Sequence, residues 1–158
     1  MTLLYRVVYL NKIKTSSSNI ILNGKVIIVD GIVVLKGKFR SRSGLSINVN
    51  GGCLKIGNRV FFNNDVSLNC RSNIEIGNNV MIGEGVKFFD HDHVFPMAED
   101  NTESYVKKPI TVGSNVWIGA NAIILKGVVI GDNVCIAAGS IVSKSIESNT
   151  VFIQKRQC

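Results

Sequence analysis

Aliphatic residues recur at every sixth position through much of this chain. A small residue usually follows each one, and two residues that favour turns come next. The pattern reads Ile76-Gly77-Asn78-Asn79-Val80-Met81, then Ile82-Gly83-Glu84-Gly85-Val86-Lys87. It resumes at Val112 and runs unbroken through units opening at Ile118, Ile124, Ile130 and Ile136, with Val142 opening the next. Val, Ala or Ser holds the fifth place, as at Val116, Ala122 and Ser140. Upstream the spacing loosens. Units open at Ile56, Phe62 and Leu68, and Ile74-Glu75 adds two residues before Ile76. Earlier still, Val26-Ile27-Ile28-Val29, Ile32-Val33-Val34-Leu35 and Leu45-Ser46-Ile47 alternate with Gly and Asn as degenerate first coils. A six-residue period is that of a β-helix, whereas the strands of an ordinary sandwich are spaced at about 8–12 residues.

The physics of that period is a coil with flat faces and tight corners. The first residue of each unit points inward and stacks on its counterparts, and the small fifth residue fits a crowded corner. Gly, Asn and Asp accept the bent conformations that corners require. Three units close one triangular turn, and turns stack at roughly 4.8 Å. The spacing therefore predicts an all-β chain: a triangular prism of roughly seven coils over about residues 20–145, with Ile76, Ile82, Val112, Ile118, Ile124, Ile130 and Ile136 inside.

Composition fits one domain spanning 1–158. The chain has 158 residues, 46% hydrophobic, and two prolines, with no low-complexity stretch to divide it. The opening Leu3-Leu4-Tyr5-Arg6-Val7-Val8-Tyr9-Leu10 is too short, and too interrupted by Arg6, to be an integral membrane segment or a signal sequence. Its apolar positions suit a short amphipathic helix within an N-terminal cap over about residues 1–18. Lys12 and Lys14 behind it would suit contact with a membrane surface. The four cysteines, at 53, 70, 135 and 158, show no metal-ligand spacing, and Cys70 and Cys135 fall inside repeat units. They read as reduced packing residues of a cytoplasmic protein. The net charge of +7 comes without a basic block interleaved with aromatics, so nucleic acid is not an expected partner. Phosphate-bearing cofactors or acidic glycans fit the charge better.

One break interrupts the repeat. After Phe88 the next unit should open at position 94, yet regular units return only at Val112. Residues 94–111 contain Phe95-Pro96-Met97-Ala98-Glu99-Asp100-Asn101-Thr102-Glu103-Ser104-Tyr105, which cannot line a narrow apolar prism. They are expected to leave it as a protruding loop, and long excursions from compact domains are usually functional. Just before it stands Asp90-His91-Asp92-His93, holding the only two histidines of the chain. An imidazole can accept a proton at neutral pH, and a neighbouring carboxylate or backbone carbonyl can fix its tautomer. In an extended strand His91 and His93 share one face, and Asp90 and Asp92 the other. A metal site would want a third histidine, and none exists, so no metal is expected.

Residues from about 56 to 144 resemble the left-handed β-helix hexapeptide acyltransferases, in particular the sugar and polysaccharide O-acetyltransferase branch that includes the maltose and galactoside enzymes. The resemblance is carried by Ile76-Gly77-Asn78-Asn79-Val80, by Asp90-His91-Asp92-His93 with its loop, by Lys108-Pro109-Ile110-Thr111-Val112-Gly113-Ser114-Asn115-Val116-Trp117-Ile118-Gly119-Ala120, and by Gly131-Asp132-Asn133 through Ala138-Gly139-Ser140-Ile141-Val142-Ser143-Lys144. It implies a left-handed parallel β-helix, a homotrimer with active sites between neighbouring prisms, and acetyl-CoA as co-substrate. It further implies acetyl transfer to a carbohydrate acceptor such as a capsule or lipopolysaccharide sugar. Matching without gaps places the family's catalytic histidine on His93, with His91 the neighbouring alternative. The same match puts Trp117 at the reacting end of the cofactor and Gly119 and Ala120 along its pantetheine arm. Ala138, Ser143 and Lys144 fall along the CoA tail. Asn63 and Asp65 fall near acceptor-contacting positions, and Asp92 joins them as an acceptor contact. The family's Gly-x-Pro-Ala segment after the last coil is missing here, and Lys155 and Arg156 follow instead.

Other functions share this architecture. An N-acetyltransferase of an amino sugar or small-molecule drug would use the same parts. A non-catalytic β-helix scaffold would leave the histidine-bearing excursion without a purpose, and a carbonic anhydrase of this fold needs three histidine ligands.

Overall fold

The computed structural model describes residues 12–16, 20–95 and 104–154. Among them the chain is all β, wound as a parallel β-solenoid of about six turns, consistent with the left-handed winding that the resemblance implies. One prism face is a seven-stranded sheet whose rungs are Ile20–Ile21, Phe39–Ser41, Val60–Phe62, Met81–Ile82, Trp117–Ile118, Cys135–Ile136 and Val151–Phe152. The other two faces form one ten-stranded sheet, because the long strands Gly24–Leu35 and Leu45–Ile56 bend from one face onto the next. Six turns therefore carry seven rungs on the first face, against roughly seven coils expected.

The register reports the coil length directly. In the regular half, Trp117 pairs with Cys135, Thr111 with Val129 and Ile123 with Ile141, each one 18-residue turn apart. Upstream, Phe61 pairs with Met81 and Ser46 with Ser67, so those turns hold two or three extra residues. Across the excursion, Met81 pairs with Trp117 and Lys87 with Ile123. One extra turn's worth of chain thus leaves the solenoid without disturbing its stacking.

The interior is as the period requires. Ile76, Ile82, Val112, Ile118, Ile124, Ile130 and Ile136 are all buried, as are the fifth-place Val80, Val86, Val116, Ala122, Val128, Val134 and Ser140. Phe39 and Phe62 fill the wider upstream turns, their ring centroids 5.2 Å apart.

Corners are held by polar columns. Asn79, Asn115, Asn133 and Asn149 adopt positive φ of 55°, 57°, 57° and 62°, a region Asn tolerates better than most residues. Their amides form a ladder, Asn79 donating to Asn115 at 3.0 Å, Asn115 to Asn133 at 3.2 Å and Asn133 to Asn149 at 3.0 Å. A second column runs one residue earlier. The backbone N–H groups of Asn58, Asn78, Ser114 and Asp132 donate to the side chains of Asn78, Ser114, Asp132 and Ser148 in the following turn. Beside it stands Gly77, where an added Cβ would lie 2.5 Å from the Gly113 carbonyl oxygen, so only glycine lets the turns close to rung distance.

At the start the solenoid reaches further than expected. Ile13–Thr15, inside the stretch assigned to a cap, pairs in parallel with Val33–Leu35 and so extends the ten-stranded sheet. The amphipathic helix expected at residues 3–10 lies outside the described residues, as do Lys155 and Arg156.

At the corner where the excursion leaves, Asp90 is fully buried and accepts hydrogen bonds from the backbone N–H of Arg71 at 2.8 Å and of Ser72 at 2.7 Å, one turn above. Its own carbonyl accepts from Lys108 N–H at 2.9 Å, tying both ends of the excursion together. Cys70 is buried beside this carboxylate. Burial first, and the Asp90 charge second, push the thiol pKa from 9.0 up to about 12.

Two stability outcomes follow from this packing. Phe62→Ala should cost about 3–5 kcal/mol in urea unfolding, since an upstream turn cannot collapse onto the cavity without breaking register. The raised Cys70 pKa means that the folded chain keeps a proton the unfolded chain releases, so stability should fall as pH rises from about 9 towards about 12. In melting temperatures read across that range, Cys70→Ala should show a shallower decline than the natural chain. Equal slopes would remove Cys70 from the account.

Candidate active site

The excursion opens as an antiparallel hairpin. His91–His93 pairs with Tyr105–Lys107, placing His91 opposite Lys107, Asp92 opposite Val106 and His93 opposite Tyr105. This two-stranded sheet stands apart from the prism sheets. Departure thus begins at His91, and Ile110–Val112 is already back in the main sheet, paired with Ile74–Ile76.

The two histidines share a face, as alternation requires, but not an environment. The His91 side chain is only 13% exposed, and its Nδ1 lies 2.9 Å from an Asp90 carboxylate oxygen. With Asp90 locked by two backbone N–H groups, this ring is clamped to the prism corner. His93 is exposed. Tyr105 lies against both imidazoles, its centroid 4.7 Å from His93 in a tilted contact and 5.4 Å from His91 edge-on. The Arg71 guanidinium covers the tyrosine ring at 3.8 Å from its centroid, a cation–π contact that fastens the second hairpin strand to the turn above. Asp92 projects to the other side, where it forms an ion pair with Lys126.

The remaining candidates occupy other parts of the prism. Trp117 stands 57% exposed on the seven-stranded face. It lines a groove of about 640 Å³ with Met81, Cys135, Val151 and the asparagine ladder. Gly119, Ala120 and Ala138 lie at the next corner, where Gly119 packs against the Ala138 backbone and Gly139 N–H donates to the Ala120 carbonyl. Asn63 and Asp65 sit at that corner two and three turns earlier, Asp65 at φ 58°. Ser143 and Lys144 are exposed beyond the Ile141–Val142 rung, following Leu125–Lys126 by one turn on the histidine side. One chain therefore brings His91, His93 and Asp92 together on the hairpin, with Ser143 and Lys144 further along the same corner. It does not bring Trp117 to the histidines, because Trp117 is on a different prism face.

Arg71 and Tyr105 have no role in the sequence pattern, and Asp90 enters it only as a carboxylate beside the histidines. Asp90 and Tyr105 flank the excursion in sequence, and Tyr105 is an aromatic in a segment too polar to enter the core. Arg71 gives no local signal, since its contact depends on stacking between turns. Among the described residues no group of three His, Cys, Asp or Glu side chains could hold a metal ion.

Comparison with known proteins finds relatives of this repeat and fold. The family model for the bacterial transferase hexapeptide (six repeats) matches residues 109–144. A protein of Dictyostelium discoideum named as an acetyltransferase is 51% identical over 78 residues, covering 49% of this chain and 41% of its own. A hexapeptide-repeat acetyltransferase of Vibrio cholerae, solved with acetyl coenzyme A, is 32% identical with a TM-score of 0.58, covering 61% of this chain and 53% of its own. A maltose O-acetyltransferase of Clostridium difficile is 28% identical with a TM-score of 0.64, covering 88% and 64%. The chain thus spans between about two fifths and two thirds of the length of these relatives. The chain carries the bacterial transferase hexapeptide repeat at residues 109–144 and, as a parallel β-solenoid, is similar in fold to hexapeptide-repeat acetyltransferases.

Proposed function

We propose that this protein transfers an acetyl group from acetyl-CoA to a hydroxyl of a carbohydrate, with His93 as general base. A base must touch its substrate, and His93 is the exposed imidazole, whereas His91 is held by Asp90 and anchors the hairpin. His93 removes the acceptor proton as the hydroxyl oxygen attacks the thioester carbonyl. The new C–O bond forms, the C–S bond breaks, and the proton passes to the departing thiolate of CoA. A backbone N–H in the groove stabilises the oxyanion.

The observation that carries this reading is the separation of the reactive parts. The histidine hairpin leaves one corner of the prism, and the groove containing Trp117 lies on a different face, so a complete site needs a second copy. We infer a homotrimer in which the hairpin of one prism meets the Trp117 groove of the next, with Gly119, Ala120, Ala138, Ser143 and Lys144 along the cofactor and Asn63, Asp65 and Asp92 towards the acceptor. The solved acetyl-CoA complex of the Vibrio relative supports the co-substrate. The free thiols of Cys53, Cys70 and Cys135 support action in a reducing compartment such as the cytoplasm.

Four measurements test it. In thiol-release assays, His93→Ala should lower turnover on the order of 10²-fold or more with acetyl-CoA binding retained. His91→Ala should instead lower the melting temperature and cost less activity; the reverse ranking would move the base to His91. For the assembly, light scattering should give a trimer. Mixing unfolded His93→Ala and Trp117→Ala chains and refolding them together should restore about a quarter of natural activity, the share of interfaces in a random trimer that join two intact halves. No recovery would place the whole site within one chain.

A further inference from the structure

A second concavity lies on the seven-stranded face, on the side of Met81 away from Trp117. It encloses about 490 Å³ between the first three rungs. Its floor is apolar: Ile21 is exposed and Phe61 half-exposed, over the buried ring of Phe39. Its rim is cationic, formed by Lys38, Arg40 and Arg59. No acidic residue lines it, and among the described residues none of these three side chains has an ion-pair partner. Arg59 also breaks a rule of the fold. It holds the positive-φ corner position, at 59°, that Asn79, Asn115, Asn133 and Asn149 occupy in later turns. Asparagine at this position would continue the amide ladder.

Charge, shape and distance together select a ligand. Three cations around one apolar floor match the two negative charges of a doubly esterified diphosphate better than the single charge of a carboxylate, and guanidinium forks suit phosphate oxygens. The apolar floor calls for a hydrophobic or aromatic group next to that anion. Phe61 is one rung from Met81 and two from Trp117, which at rung spacing is roughly 10 Å, a span covered by one sugar ring and the diphosphate attached to it.

We propose that this concavity binds the diphosphate of a glycosyl diphosphate acceptor, a sugar whose diphosphate carries an apolar or aromatic group. The sugar then lies towards Trp117, where acetylation occurs. This rests on the acetyl-transfer reading and names its acceptor class. The aromatic or apolar group could be a nucleoside or a polyprenyl chain; the shared chemistry is the diphosphate ester.

Calorimetric titration of the full chain, without acetyl-CoA, tests it with uridine diphosphate, geranyl diphosphate and uridine as probes. At least one diphosphate ester should bind and uridine should not, and the tighter ester identifies the source of the apolar group. Arg40→Gln and Arg59→Asn should each weaken that binding on the order of tenfold, with melting temperature and acetyl-CoA affinity unchanged. Arg59→Asn places the residue that other turns use at this corner, so it should fold. Failure of both esters to bind overturns the proposal, as does equal binding by the double variant. Displacement of the ester by saturating coenzyme A also overturns it, because the concavity would then belong to the cofactor. An ester bound by a chain that transfers no acetyl group would refute the transfer reading alone, and transfer to neutral sugars without ester binding would refute this site alone.

Discussion

Parallel rungs sit about 4.8 Å apart, and in a solenoid each residue stacks on its own equivalent one turn away. Whatever a position does must then be compatible with a copy of itself at that distance. An aliphatic side chain meets this by dispersion contact, a corner asparagine by donating and accepting along a ladder, and a glycine by offering nothing to collide. The buried isoleucines, the Asn79 to Asn149 column and Gly77 are three answers to one constraint. Charged residues have no comparable answer, since a stack of like charges repels. They accumulate where the repeat loosens or is interrupted.

That rule locates the chemistry. Asp90 is the buried carboxylate of the described chain, and it sits where the stack is interrupted, using its oxygens on two backbone N–H groups and one imidazole. Arg71, Tyr105 and His93 form a layered contact that no regular turn contains. The cationic rim of Lys38, Arg40 and Arg59 belongs to the loose upstream turns for the same reason. The histidine hairpin and the cationic concavity are both departures from the regular repeat.

The solenoid and its inward residues were legible because a six-residue period has few structural solutions, and the two residues inserted at Ile74-Glu75 announced the longer turns. The excursion was legible as a failure of the period. What happens inside it was not. Period-two alternation puts Asp90 on the face opposite His91, yet Asp90 precedes the hairpin and turns into the corner, drawn by the N–H groups of Arg71 and Ser72 some 18 or 19 residues earlier in sequence. The sequence could not separate a clamped histidine from an exposed one, since the difference is made by that distant contact. Nor could local spacing reveal that Trp117 and the histidines occupy different faces, which depends on how residues 94–111 are routed.

The pairing of Met81 with Trp117 divides the solenoid into two stacks joined by a doubled connection. Closing a loop twice as long adds only about 0.6 kcal/mol of chain entropy, less than the burial of one isoleucine contributes. Because the hairpin leaves and returns at one corner, with Lys108 N–H on the Asp90 carbonyl, its length is uncoupled from the register of the turns on either side. Long insertions at this point are therefore nearly free to a folding chain, whereas the upstream turns absorb only two or three extra residues apiece and keep their inward side chains in place. An architecture of this kind can diversify what it recognises by lengthening or rewriting a single segment, and it keeps one scaffold while doing so.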